Sequence, residues 1–220
     1  MARAVFLTSV TIAILGASLF AAAGSLRWPM AWLFLLTFLA FSAFALVVLD
    51  PALVRERGRL LADADRTDAA LSSAFALLLY PGIMVVCGLD RRFGWSPSPP
   101  ALVAPAALGV FVLGYSFSLR AMRANPFFAT AVRIQKERGH VVVDRGPYRC
   151  VRHPGYAGVI AAHLALPFAL GSLWGLVPAV AGSLLLAARA VHEERVLERD
   201  LAGYPKYMRD VPWRLVPGVW

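Results

Sequence analysis

Four stretches of this chain, Ala4–Leu26, Trp28–Leu49, Ala69–Leu89 and Phe93–Leu119, contain no Asp, Glu, Lys or Arg. Each reaches or exceeds the ~20 apolar residues, rising ~1.5 Å apiece, that a helix needs to cross a ~30 Å hydrocarbon core. A fifth run, Pro154–Ala188, is charge-free apart from a possible charge on His163. As one helix it would be ~50 Å long, too long for an ordinary span. Pro167, Gly171 and Pro178 interrupt it. The pattern therefore predicts two shorter helices in a hairpin, turning near Leu170–Trp174. The first run is longer than the 7–15 apolar residues of a secretory leader and is followed at once by another span, so it reads as a transmembrane helix.

The polar positions divide the chain in two. Residues 1–119 read as N-terminal transmembrane anchor helices. Their one long polar interval, Asp50–Asp68, mixes both signs of charge and reads as a solvated loop with a short surface helix. Ser96–Pro100 is a stiff turn. Residues 120–220 read as a catalytic region containing the hairpin. Pro126 disfavours helix at Asn125, so the chain leaves the membrane there. A β-branched run, His140–Val143, a turn, Asp144–Tyr148, and Arg152-His-Pro-Gly-Tyr156 then lead into the hairpin. A helix over Arg189–Leu201 continues out of it and stops at Ala202–Pro205. The expected fold is all-α: a polytopic integral membrane protein with four transmembrane helices plus a C-terminal helical hairpin, five to six membrane segments in all, and a cytoplasmic cofactor-binding region.

Composition agrees. The 220 residues are 59% hydrophobic and 16% charged, against about a quarter charged in soluble domains. Net charge is +9 and the pI about 10.4. In a soluble protein that would suggest nucleic acid. Here the cations lie between spans, where topology and anionic lipid explain them. With the N-terminus, the loops after the second and fourth runs and the C-terminal tail on one side, 19 Lys and Arg fall there and 3 (Arg27, Arg91, Arg92) on the other. The positive-inside rule makes the first side cytoplasmic. Cys87 falls in the third span and Cys150 in a cytoplasmic loop, so no disulfide is expected.

Candidate chemistry collects in the C-terminal third. An Arg and a His at the mouth of a membrane helix are costly unless they face water, protein or a ligand, and Arg152 and His153 stand there. Pro154 suits a helix start, and free N–H groups at such a start favour anionic groups. Against this stands the plainer role of a basic anchor at lipid phosphates. Arg189 and Glu193, four apart, share a helix face and can pair. An arginine can also grip a substrate carboxylate, and a glutamate both hydroxyls of a ribose. Glu193 and Glu194 point to different helix faces, so no metal site is expected beside His192. His163 reads as a packed, hydrogen-bonded histidine. Nucleotide-loop, zinc-protease and serine-hydrolase motifs are absent.

The motifs together resemble the isoprenylcysteine carboxyl methyltransferase family, related to phospholipid methyltransferases. They run in order: Gln135, His140-Val-Val-Val143, Gly146-Pro-Tyr148, Arg152-His-Pro-Gly-Tyr156, a hairpin-length apolar gap, Arg189-x-x-x-Glu193-Glu194 and Gly203-Tyr-Pro-Lys-Tyr207. The chain has fewer N-terminal spans than the eukaryotic members and a shorter gap between Gln135 and His140. The resemblance implies S-adenosyl-L-methionine as methyl donor. It implies cofactor contacts from Gln135, His140, Val141, Val142, Val143, Tyr148, His153, Pro154, Gly155, Tyr156, Glu193 and Glu194. It makes Arg189 the catalytic and substrate-carboxylate residue, with Asn125 also on the substrate. The expected partners are a lipophilic small-molecule or prenylated substrate and membrane lipids, with no nucleic acid and no metal.

The expected activity is thus carboxyl O-methylation of an isoprenylcysteine-like carboxylate. Methylation of a phospholipid amine and an NADPH-dependent sterol-type reduction, whose enzymes share an Arg-His-Pro-x-Tyr-like segment, are the alternatives. A non-catalytic transporter is set aside because the spans read as free of intramembrane acids and inverted repeats.

Overall fold

The structure is a computed structural model that describes residues 2–59 and 64–220. Among the described residues the chain forms helices and turns and no strand. The helices are α1 (Ala2–Ala23), α2 (Pro29–Val48), α3 (Pro51–Arg57), α4 (Arg66–Leu77), α5 (Ile83–Phe93), α6 (Val103–Ala124), α7 (Pro154–Ala169), α8 (Leu176–Asp200) and α9 (Tyr204–Asp210). Local sequence sets many boundaries. Pro29 and Pro51 open α2 and α3, where a missing N–H costs nothing. The carboxylates of Asp50 and Asp65 accept from the N–H groups of Ala52 and Asp68 at 2.6 and 2.8 Å, capping α3 and α4. Gly94, at φ +65°, ends α5.

Among the described residues, five helices are long and apolar enough to cross a membrane: α1, α2, the 28-residue unit Arg66–Phe93, α6 and α8. Arg66–Phe93 joins α4 to α5 through a π turn, Leu78–Gly82, that contains Pro81. A proline has no N–H for the regular ladder, and a wider turn absorbs it. The hairpin is present: α7 and α8 turn over residues 170–175, with Gly171 at φ +71°. At 16 residues, α7 is ~24 Å long, short of the hydrocarbon thickness. Val5, Phe6, Leu36, Phe44, Leu113 and Leu184 lie among the exposed apolar side chains, as a lipid-facing surface requires.

Small residues set the helix packing, as is usual within membranes. α6 and α7 cross where Gly114 faces Gly158; a Cβ on Gly158 would lie 2.4 Å from the Gly114 carbonyl oxygen. α1 meets α5 at Gly88, and α4 lies along α8. At the hairpin turn, Asp90 accepts from the hydroxyls of Ser96 (2.6 Å) and Ser172 (2.5 Å), and Ser96 Oγ accepts from Leu173 N–H at 2.9 Å. This polar stitch holds the end of α7 remote from its N-terminal turn.

Two expectations change. The interval Asp50–Asp68 is not uniformly solvated: α3 is present, but Asp68 is fully buried. Asp63 in that interval lies outside the described residues. Nor is the bundle free of buried acids, because Asp68 and Asp90, at 0% and 2% exposure, both belong to the unit Arg66–Phe93. Hydrogen bonds to Arg189, Ser72, Ser96 and Ser172 make their burial tolerable. His163 is packed as expected, with Nδ1 2.9 Å from the Val159 carbonyl. Cys87 is buried, Cys150 exposed, and both are free thiols.

Candidate active site

A cavity opens where α6 ends and α7 begins, between the segment 125–143, the C-terminal half of α8 and α9. Three walls can be followed in the chain. The first is the N-terminal turn of α7, where His153, Gly155 and Tyr156 line the space. The second is α8, where Arg189, Glu193 and Leu197 succeed one another every fourth residue and so share one face. The third is the extended segment after α6, which contributes Asn125, Phe127, Phe128, His140 and Val141–Val143. Tyr148, Leu201, Tyr204 and Tyr207 complete the enclosure. Glycine at 155 is required by the walls: a Cβ there would stand 2.6 Å from the Phe128 ring.

Glu193 and Glu194 separate sharply. Glu193 lines the cavity. Its Oε2 accepts the Tyr156 hydroxyl proton at 2.5 Å and lies 4.0 Å from His153 Nδ1. Glu194 does not line it. Its side chain is buried among cations, with Oε1 2.6 Å from Arg152 Nε and 3.1 Å from His153 Nε2, and Oε2 2.6 Å from Arg214 Nε. Glu194 therefore clamps the Arg-His-Pro segment to the C-terminal tail. Main-chain bonds reinforce the clamp. The N–H groups of Arg152 and His153 donate to the carbonyls of Trp213 and Arg214, both at 2.9 Å. The start of α7 consequently does not offer those two N–H groups to an anion.

Arg189 is more heavily engaged than its spacing suggested. Its Nε donates to Asp68 Oδ1 at 2.7 Å, Nη2 to the Thr130 carbonyl at 2.6 Å, and Nη1 to the Tyr156 hydroxyl. The other oxygen of Asp68 accepts from Val132 N–H at 2.7 Å. The expected direct pairing of Arg189 with Glu193 is replaced by a relay through Tyr156. Asp68, from α4, is a site residue that the C-terminal motifs did not reveal.

Of the other residues singled out in the sequence, Gln135 and Pro154 do not line the cavity. Gln135 is fully buried, its Nε2 donating to the Phe127 carbonyl at 2.7 Å and its N–H to His140 Nδ1 at 3.3 Å. It fixes the segment that does line the cavity. His140 stacks on Phe127 with ring centroids 4.4 Å apart. Burial lowers the His140 pKa below the usual histidine value, so the ring is neutral at pH 7. Burial raises the phenols of Tyr148, Tyr204 and Tyr207 above theirs. Asn125 Nδ2 donates to Tyr148 Oη at 3.3 Å. Residues that no motif singles out include Phe127 and Phe128, and Tyr204 and Tyr207 lie in the Gly203–Tyr207 motif without an assigned role.

Several groups at the cavity are unpaired within the chain. Among the described residues, the main-chain N–H and C=O groups of Val141, Val142 and Val143 make no hydrogen bond within the chain, and Glu193 Oε1 has no donor. The model of the Isoprenylcysteine carboxyl methyltransferase (ICMT) family matches residues 107–199, which run from α6 to the penultimate residue of α8. No curated protein matches the chain.

Proposed function

We propose that this chain, whose residues 107–199 match the model of the isoprenylcysteine carboxyl methyltransferase family, uses S-adenosyl-L-methionine to O-methylate the carboxylate of an isoprenylcysteine-like lipid at the membrane. The family match supports a membrane methyltransferase. The donor, the acceptor and the roles of single residues are the further reading. One observation carries it: Glu193, lining the cavity, keeps one carboxylate oxygen without a donor and faces the same space as the unpaired main-chain groups of residues 141–143.

This set of groups suits the donor's chemistry. An adenine needs main-chain donors and acceptors beside apolar or aromatic faces, and Val141–Val143, Phe127 and Tyr204 supply them. Ribose hydroxyls need a carboxylate, and Glu193 Oε1 is available. Tyr156 holds Oε2 and so fixes that carboxylate's orientation. A sulfonium is repelled by a nearby cation, and a neutral His140 avoids this. When bound, S-adenosyl-L-methionine supplies a methyl group on a positively charged sulfur.

The chain's remaining tasks are to position the acceptor and exclude water. A carboxylate is already anionic at neutral pH, so no general base is required. Holding nucleophile and methyl carbon in line supplies most of the acceleration available to such a displacement. Arg189, immobilised by Asp68, Thr130 and Tyr156, puts a guanidinium in the cavity wall, a group that suits an acid acceptor better than an amine. In this reading residues 1–119 anchor the protein and residues 120–220 form the catalytic region. The charge distribution supports a cytoplasmic N-terminus and active site. The test is incubation of the purified protein in lipid with methyl-labelled S-adenosyl-L-methionine and N-acetyl-S-farnesylcysteine. A labelled base-labile methyl ester is expected. A base-stable methylated lipid amine instead would overturn the carboxyl assignment.

A further inference from the structure

Most of the arginines around the cavity pair with carboxylates, and Arg138, stacked on Phe127, donates to Gln135 Oε1. Arg152 and Arg214 share Glu194, Arg189 takes Asp68, and Arg133 takes Glu56 and Glu137, both at 2.7 Å. Arg57 breaks this pattern. It is the last residue of α3, the short helix that follows α2, and its side chain turns inward. Its guanidinium carbon lies 5.1 Å from the centroid of Phe128, the ring that lines the cavity opposite Gly155. It stands within electrostatic range of Tyr156, Arg189 and Tyr148. Among the described residues it has neither a carboxylate partner nor a hydrogen bond; the stacked ring is its single named contact.

A half-buried cation without a counter-ion is costly. Desolvation and the like charge of Arg189 both weaken its hold on its proton. Placing a second guanidinium near Arg189 is physically sensible if an anion comes to lie between them. Glu56, next in sequence, is drawn off to Arg133. No carboxylate among the described residues neutralises Arg57, and an anion brought by a ligand would do so.

We infer that Arg57 is a substrate-binding residue that grips the carboxylate of the methyl acceptor. This rests on the reading of the cavity as a site of carboxyl methylation. Arg189 has Nε and both Nη atoms engaged within the protein, while Arg57, behind the Phe128 ring that lines the cavity, has no such partners and is free for a bidentate grip. The residue comes from the N-terminal part of the chain, outside residues 107–199. It stands on the helix directly after a membrane span, where a lipid-tailed acid would present its head group.

The experiment is equilibrium binding of N-acetyl-S-farnesylcysteine and of its carboxamide to purified protein in detergent, without cofactor. The unmutated protein is expected to bind the acid at least tenfold more tightly than the amide. Arg57→Gln, which keeps the stem over Phe128, is expected to abolish that preference without lowering the melting temperature or changing S-adenosylhomocysteine affinity. Arg57→Lys is expected to restore part of the preference. Equal acid binding by Arg57→Gln and the unmutated protein overturns the inference, as does an unmutated protein that does not distinguish acid from amide. Failure of the broader reading looks different: the unmutated protein would then not bind S-adenosylhomocysteine.

Discussion

The hydroxyl of Tyr156 donates to Glu193 Oε2 across 2.5 Å, joining the first turn of α7 to the cavity face of α8. The same hydroxyl accepts from Arg189, and Arg189 is held by Asp68 of α4. A chain of polar contacts thus links three helices from both halves of the sequence around one cavity. Its buried members, Asp68 and Arg189, need each other, because an isolated charge would be costly at that depth.

Tyr156→Phe removes the link and little volume. Glu193 then loses its orienting donor and Arg189 one of its acceptors. S-adenosylhomocysteine affinity is expected to fall by about tenfold, the scale of one hydrogen bond to a charged group. Titration calorimetry on the detergent-solubilised variant checks this, and unchanged affinity would show that the bond does not orient Glu193 for the ligand.

The two adjacent glutamates should fail in different ways. Glu194→Ala leaves Arg152 and Arg214 without their shared carboxylate. The expected loss of stability is about 3–5 kcal/mol, as for other broken buried pairs. Glu193→Ala touches a partly exposed carboxylate at the cavity and should leave stability nearly unchanged. Thermal unfolding of both variants in one detergent separates the roles, and equal melting temperatures would contradict them.

Asp68→Asn keeps the size of the side chain and removes its charge. Arg189 then has no counter-ion and Val132 N–H a poorer acceptor. Transfer activity is expected to fall at least tenfold, with a melting temperature below that of the unmutated protein. Full activity would show that Arg189 does not depend on α4.

His140 sets a pH dependence of stability. Its pKa in the folded protein is below the unfolded value of about 6.5, chiefly because burial opposes the charge. Gln135 N–H also donates to Nδ1, a bond that protonation there would break. The unfolded chain takes up the proton first, so stability falls as pH drops through ~6.5 and levels off below the folded pKa. His140→Phe, which preserves stacking on Phe127, should flatten that part of the stability profile between pH 7 and 5. An unchanged profile would assign the loss to other groups.

The membrane spans were legible because lipid imposes a simple rule on long apolar runs, and the hairpin turn because Pro167 and Gly171 mark it. Most of the cavity lining was legible through the motifs. The segment 140–143, Tyr148, His153, Gly155, Tyr156, Arg189 and Glu193 all come together there. Asp68 was not legible. Its partner Arg189 is 121 positions away, and at the start of α4 an acid near a capping aspartate looks like ordinary surface charge. Gln135 and Glu194 were recognised as important, but sequence does not say on which side of a buried turn or helix a polar group finds its partner. Arg57 hid for a related reason: inside a run of mixed charges, nothing marks the one that turns inward.

Binding of S-adenosylhomocysteine to the purified, folded protein in detergent tests the central claim most directly. The unmutated protein is expected to bind it saturably, with Glu193→Ala weakening binding by at least tenfold at an unchanged melting temperature. A folded protein that binds NADPH and not S-adenosylhomocysteine, or that binds S-adenosylhomocysteine equally well without Glu193, would contradict the account.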